Sequence, residues 1–276
     1  MDHRRFFSLR GHMRSGTNWL GGLLNTHLDI GCYGEYHWQS VVQAMDLVVE
    51  QQPIYAETEY RRQARRELEE MIRRTLIHRD PESPVLGERT PHTLSPLVWP
   101  DAPQITIVRD GRDVLVSRAF HLHAHPEVHR LFQREPELAK EQQNFLDDPW
   151  YFHQHPDRLL SNETMVRESV RSWRMHMESD RETCAKNPEL RVFTVRYEDL
   201  SDDVELWRRR LFDFLDVDLE RCEPIEFELR PGISEEQPTE MRRKGVVGDW
   251  QNYFTDQAAE WFWGEVGDEM ALLGYE

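Results

Sequence analysis

A change of hydrophobic period around two glycines near the amino terminus constrains this chain more than any other feature. Phe6-Phe7-Ser8-Leu9 is a short apolar run stopped at Gly11, which predicts a buried strand. From Thr17 onward Leu20, Leu23, Leu24, His27 and Leu28 recur at i, i+3, i+4, i+7 and i+8, the spacing of one helix face. Between them Gly11 and Gly16 frame a G-x-x-x-x-G turn. Glycines let such a turn aim successive N–H groups at one anion, and the helix that follows adds its partial positive charge. A phosphate is the expected guest.

The alternation continues down the chain. Val85-Leu86-Gly87, Ile105-Thr106-Ile107-Val108 and residues 191–196 predict further strands, and residues 58–78 predict a surface helix with Leu68, Met71, Ile72, Thr75 and Leu76 on its inner side. Val204, Trp207, Leu211 and Phe214 mark a helix after the last strand. Strands alternating with helices predict an α/β fold: a central parallel sheet flanked by helices, joined by right-handed crossovers. No repeat, low-complexity tract or flexible linker interrupts the 276 residues, so one domain over 1–276 is expected, long enough for a sizeable core. Residues 121–160, crowded with His, Pro and aromatics, and residues 224–255, with Pro224, Pro231 and Pro238, show no helical period and predict long ordered loops.

Composition removes several function classes. A formal charge of −17 disfavours general nucleic-acid binding, since phosphate backbones are held by clustered positive surface. No window approaches the roughly 18 to 20 apolar residues of a membrane span, and residues 1–9 are too short for a secretory leader. Cys32, Cys184 and Cys222 are far apart without a C-x-x-C pair, which points to a reducing, cytoplasmic setting and away from disulfides or structural zinc. Only Lys140, Lys186 and Lys244 are lysines among the 34 basic residues, a balance that fits GC-rich coding with a solvated exterior or, as the lesser alternative, an acidic surface suited to high salt. His121, His123 and His125 alternate, but no acid or cysteine completes a metal set, so no metal is expected there. They are expected to line the entrance of a site, with Trp150, Tyr151, Phe152, Trp173 and His176 as further candidates.

The glycine turn also lacks something. Thr17-Asn18 stand where an ATPase places the lysine that bridges β and γ phosphates and the hydroxyl that holds magnesium, and the loop's cation is Arg14 instead. A P-loop kinase or nucleotide hydrolase, or a non-catalytic nucleotide-binding module, are the competing classes; the first requires magnesium and ATP, the second would tolerate loss of any catalytic carboxylate.

Arg14-Ser15-Gly16-Thr17-Asn18-Trp19-Leu20 resembles the 5′-phosphosulfate loop of sulfotransferases that use 3′-phosphoadenosine 5′-phosphosulfate (PAPS). Three more motifs agree in order. Val108-Arg109-Asp110-Gly111-Arg112-Asp113-Val114-Leu115-Val116-Ser117 resembles the 3′-phosphate strand and helix, Arg196-Tyr197-Glu198-Asp199-Leu200 the Y-E-D-L segment, and Arg242-Arg243-Lys244-Gly245-Val246-Val247-Gly248-Asp249-Trp250 the R-K-G-x-x-G-D-W segment of cytosolic members. The resemblance covers nearly the whole chain and implies PAPS as co-substrate and its product 3′-phosphoadenosine 5′-phosphate (PAP), without metal. It assigns Arg14, Ser15, Gly16, Thr17, Asn18, Trp19, Arg109, Ser117, Tyr197, Arg242, Arg243, Lys244 and Gly245 to the nucleotide.

Sulfuryl transfer asks for positive charge on the departing phosphate, a base for the acceptor proton and in-line alignment. Arg14 is the natural leaving-group stabiliser, and the resemblance matches it to the arginine of tyrosylprotein-type members. Glu88-Arg89-Thr90-Pro91-His92 stands where cytosolic members have K-T-H, which implies Arg89 at the sulfuryl group and His92 as one candidate base. Leu28 to Glu35 resembles the segment carrying a catalytic glutamate in tyrosylprotein-type and bacterial members, and Glu35 is the preferred base, with Cys32, Tyr33, Tyr36 and Trp38 as its surroundings. The acceptor is left open among small molecules, glycans, lipids and peptides, as is the oligomeric state.

Overall fold

The computed structural model describes residues 4–50, 59–125, 135–226, 229, 236–240 and 243–275. They form two compact units: Met1–His12, Gly16–Val108 and Ser179–Ile225 make the first, and Met13–Ser15, Arg109–Glu178 and Glu226–Glu276 the second.

The first unit holds a five-stranded parallel sheet, β1 (Arg5–Gly11), β2 (Ile30–Gly34), β3 (Val85–Arg89), β4 (Gln104–Val108) and β5 (Val192–Arg196), in the order β2-β3-β1-β4-β5. Phe7, Leu9, Leu86, Ile105, Ile107 and Val195 are fully or almost fully buried, so the central strands are covered on both faces, as parallel strands must be. Helices α1 (Thr17–Leu24), α2 (Trp38–Glu50) and α3 (Glu59–Arg79) belong to this unit. Leu20, Leu23 and Leu24 of α1 are entirely buried, the stripe the i, i+3, i+4 spacing predicts. On α3, Ile72 and Leu76 join Val42, Leu86, Val98 and Trp99 in one apolar cluster, while Arg66, Glu67, Glu70 and Arg74 are exposed, as is Met71, which the spacing put on the inner side.

Parallel strands end at one edge, and that edge gathers the predicted residues of this unit. The register aligns Leu9 with Arg89, Arg89 with Gly34, and Leu9 with Ile105, so the glycine turn after β1, Glu35 after β2 and Arg89 at the end of β3 emerge side by side. Ligands of open α/β sheets bind at the carboxyl ends of the strands, where connections leave to either side. A cavity of about 930 Å³ lies at the other ends of the strands, between Arg5, Val85, Trp99, Pro103 and Arg191, and contains none of the predicted site residues. Beneath the turn, Arg10 and Glu88 form an ion pair whose side chains are 3% and 1% exposed, extended by Ser8 and Thr90.

The second unit begins with α4 (Gly111–Ala124) and continues through α5 (Pro136–Asp147), α6 (Tyr151–Gln154), α7 (Pro156–Leu159) and most of α8 (Glu163–Lys186). Helices α9 (Tyr197–Asp202) and α10 (Val204–Phe214) return to the first unit, and α11 (Asp256–Val266) and α12 (Glu269–Leu272) complete the second. Much of the 121–160 stretch expected as loop is therefore helical. Two of its prolines start helices rather than break them: Pro136 and Pro156 each occupy the first helical turn, where a missing N–H costs nothing. Several of the aromatics there are core, although Trp150 is 46% exposed. Phe120, Phe145, Phe152 and His123 pack ring against ring, and Trp173 is buried against Gly111. His123, Phe152 and Trp173 therefore do not line an entrance. His121 and His125, on the same helix end, pair at 4.8 Å between ring centres. Of the 224–255 stretch, residues 243–248 are irregular and Asp249–Asn252 form a short 3-10 turn.

Candidate active site

In the first unit the glycine turn closes onto α1 through Gly16, whose φ of 101° lies in the left-handed region glycine favours. A Cβ on Gly16 would come within 2.8 Å of the Tyr197 ring, so the turn and Tyr197 touch only because no side chain separates them. Tyr197 is buried, and Trp19 packs edge-on against it at 5.1 Å. Thr17 is buried at the first position of α1, whereas Asn18 is exposed. Gly11 closes the turn from the other side by donating its N–H to the His92 carbonyl at 3.3 Å.

Arg89 lies across α1 at Gly21: a Cβ there would stand 3.2 Å from Nη1. Its Nε is buried without a hydrogen-bond partner among the described residues, a donor suited to an anion. Glu35 is exposed, one residue past Gly34, which is itself packed on the Arg89 carbonyl. Of its expected surroundings, Tyr36 and Trp38 stack at 5.7 Å. Tyr33 donates its hydroxyl to Asp80 at 2.8 Å, and Cys32 is buried, its thiol pushed up to about 12 by desolvation. His92 Nδ1 accepts the Thr93 N–H at 2.9 Å, which leaves the proton of a neutral imidazole on Nε2.

The second unit gathers the cations. Arg14, with φ of 72°, donates through Nε to Ser117 Oγ at 3.1 Å. Arg109 is 8% exposed and donates to the carbonyls of Arg14 at 3.3 Å and Val246 at 2.9 Å. Arg243 is buried over the face of Phe120 at 4.2 Å and is ion-paired with Glu236 and Asp249. Burial first, then repulsion from Arg109 and Arg243, lowers Arg14 to about 10. Cations crowd together at such cost where an anion is to be received. Ser15 supports this: it is fully buried and its Oγ has no partner among the described residues.

Lys244 Nζ is 3.0 Å from Asp249, and Gly245 takes the positive φ of 69° that turns the chain. Arg242 lies outside the described residues. Two acids escaped sequence reasoning. Asp113 accepts the N–H groups of Gly248 at 2.8 Å and Trp250 at 3.0 Å, and Asp110 caps α4 by accepting the Arg112 N–H at 2.8 Å. The second has a readable signal, an aspartate immediately before a helix; the first depends on a partner more than a hundred residues away. Among the described residues no group of three or more His, Cys, Asp or Glu side chains is placed to hold a metal ion, and no helix is long and apolar enough to cross a membrane.

The model of the sulfotransferase domain family matches residues 8–274. No curated protein matches the chain in sequence. Among solved structures it is similar to mouse sulfotransferase SULT7A1 complexed with PAP, at 19% identity, TM-score 0.53, and coverage of 98% of this chain and 84% of that one. It is also similar to the sulfotransferase domain from the curacin biosynthetic pathway, at 15% identity, TM-score 0.52, and coverage of 99% and 98%. Retinol dehydratase in complex with androsterone and inactive cofactor PAP is 17% identical, with TM-score 0.50 and coverage of 96% and 80%. At these identities the structures speak for the fold alone, but the family model spans almost every residue, and the chain belongs to the sulfotransferase family.

Proposed function

We propose that this chain transfers a sulfuryl group from PAPS to a hydroxyl or amine of an acceptor by in-line displacement. One observation carries the choice of donor: Arg14 donates to the Ser117 hydroxyl and its carbonyl accepts from Arg109, with Arg243 near enough to repel it, in a chain whose glycine turn lacks the lysine of ATP-binding loops. Such a cluster suits an isolated second phosphate, which PAPS has and ATP lacks. Neighbours of the same fold that were solved with PAP agree with this choice.

PAPS carries its sulfuryl group on a 5′-phosphate that becomes the leaving group. Ser15, Gly16, Thr17 and Asn18 hold that phosphate by their backbone amides at the start of α1, and Trp19 and Tyr197 flank the adenosine. Arg109, Ser117, Arg243, Lys244 and Gly245, with Arg242, hold the 3′-phosphate. Arg14 presents positive charge to the leaving oxygen, and Arg89 to the sulfuryl oxygens. Glu35 takes the acceptor proton. Its rival His92 has Nδ1 engaged and a proton on Nε2, so as a neutral ring it offers no free lone pair.

Residues 1–276 act in this proposal as one sulfotransferase domain, since the family match runs through both units. The acceptor class is a small molecule, in line with the androsterone held by one neighbour. A cytoplasmic, reducing setting suits three cysteines that are all free. The test is transfer of labelled sulfate from PAPS to a panel of phenols, steroids, alcohols, amines and peptides. Transfer to a phenol, steroid, alcohol or amine supports the proposal, and transfer to peptides alone overturns the acceptor class; no transfer, with ATP hydrolysed in magnesium instead, overturns the whole reading.

A further inference from the structure

We propose that Asp113 is a positioning residue for the 3′-phosphate: it latches the 243–250 segment in place without touching the nucleotide. This inference rests on the donor reading above. Asp113 lies in the first turn of α4, with its side chain 1% exposed. Its two carboxylate oxygens divide their work. Oδ2 accepts the Gly248 N–H at 2.8 Å and Oδ1 the Trp250 N–H at 3.0 Å.

The residue four positions earlier completes the hold. Arg109 Nη2 is 3.7 Å from Asp113 Oδ2 and donates to the Val246 carbonyl at 2.9 Å. The segment is thus fixed at three backbone points, a carbonyl and two amides, by an i, i+4 pair of opposite charge. Arg112 adds a fourth contact by stacking on Trp250 at 4.1 Å. Gly248, with φ of 78°, supplies the turn that lets both amides face one carboxylate.

What the latch positions is the residue between those amides. Asp249 is ion-paired with Arg243 and lies 3.0 Å from Lys244 Nζ. The path runs from Asp113 through the backbone of 248–250 to Asp249, and from Asp249 to the two cations assigned to the 3′-phosphate. A buried carboxylate accepting two amides leaves both unsatisfied when it is lost. Its consequence is read at Arg243 and Lys244, not at the residues assigned to the 5′-phosphate.

The experiment compares PAP with 5′-AMP, which lacks the 3′-phosphate, by calorimetry on the wild-type protein and Asp113→Asn. Asparagine keeps one acceptor but turns its NH2 toward the N–H of either Gly248 or Trp250. Asp113→Asn is expected to weaken PAP by about tenfold to a hundredfold while 5′-AMP changes by less than about threefold. In turnover, KM for PAPS rises more than kcat falls. Equal losses for PAP and 5′-AMP, or no loss for either, overturn the latch. Should the variant not fold, hydrogen exchange on the wild-type protein decides: PAP, unlike 5′-AMP, is expected to protect the amides of Gly248 and Trp250, and equal protection by both ligands overturns the proposal. A wild-type protein that does not distinguish PAP from 5′-AMP instead sinks the donor reading itself.

Discussion

Arg14 Nε donates to Ser117 Oγ at 3.1 Å, joining the cation of the glycine turn to the second turn of α4. The family resemblance implies opposite phosphates of one nucleotide for these two residues. Their direct bond, and the repulsion Arg14 feels from Arg109 and Arg243, put the arginine beside residues proposed here for the 3′-phosphate.

The two roles of Arg14 separate kinetically. Ser117→Ala is expected to weaken PAP by roughly tenfold and leave the single-turnover rate within a few-fold. Arg14→Met is expected to slow that rate by about a hundredfold or more, the scale of losing one charged transition-state contact. A variant that loses PAP affinity but turns over normally at saturation would confine Arg14 to binding.

Glu35→Gln is expected to lower turnover by about 10²- to 10⁴-fold with PAP affinity unchanged, because it removes a proton acceptor and no nucleotide contact. His92→Ala is expected to keep most of the rate. The reverse pattern in steady-state assays would make His92 the base.

His123 gives the fold a pH dependence of known sign. Burial lowers its folded value from 6.5 to about 3, so between those limits the unfolded chain binds a proton that the folded chain does not. Stability therefore falls as pH drops below 6.5, by about 1.4 kcal/mol per unit once the unfolded histidine is charged. Urea titrations from pH 7 to 4.5 are expected to show this slope, and His123→Phe, which keeps a ring against Phe145 and Phe152, to flatten it. An unchanged slope in the variant would assign the acid sensitivity elsewhere.

Glu88 and Arg10 make the opposite kind of test, one of architecture. Glu88→Gln leaves the Arg10 guanidinium buried without its counter-charge, which costs about 3–5 kcal/mol in such pairs. Chemical denaturation is expected to show a loss of that order. A change below about 1 kcal/mol would mean that water reaches the pair, as at exposed sites.

Legibility in the sequence followed the range of the physics. The strand-turn-helix at Gly11 to Thr17 could be read because period, glycine and helix start are all local. β2 could not: Ile30-Gly31-Cys32-Tyr33-Gly34 is only five residues with two glycines, which weaken a strand pattern, and its glycines answer to neighbours far along the chain, Gly31 to Asp80 and Gly34 to Arg89. Reading Glu35 as important came from resemblance, while its place beside Arg89 came from register. The helices after residue 121 were hidden by prolines that start rather than stop them. Asp113 was visible as a letter in a motif, but its work depends on Gly248 and Trp250, and no spacing rule reaches that far.

The most direct test is a crystal structure of the protein grown with PAP. The 3′-phosphate is expected within hydrogen-bond distance of Arg109 and Ser117, and the 5′-phosphate against the amides that follow Arg14. PAP bound at any other place, or within the Gly11 to Thr17 turn but remote from Arg109 and Ser117, would contradict the assignment of donor and site together.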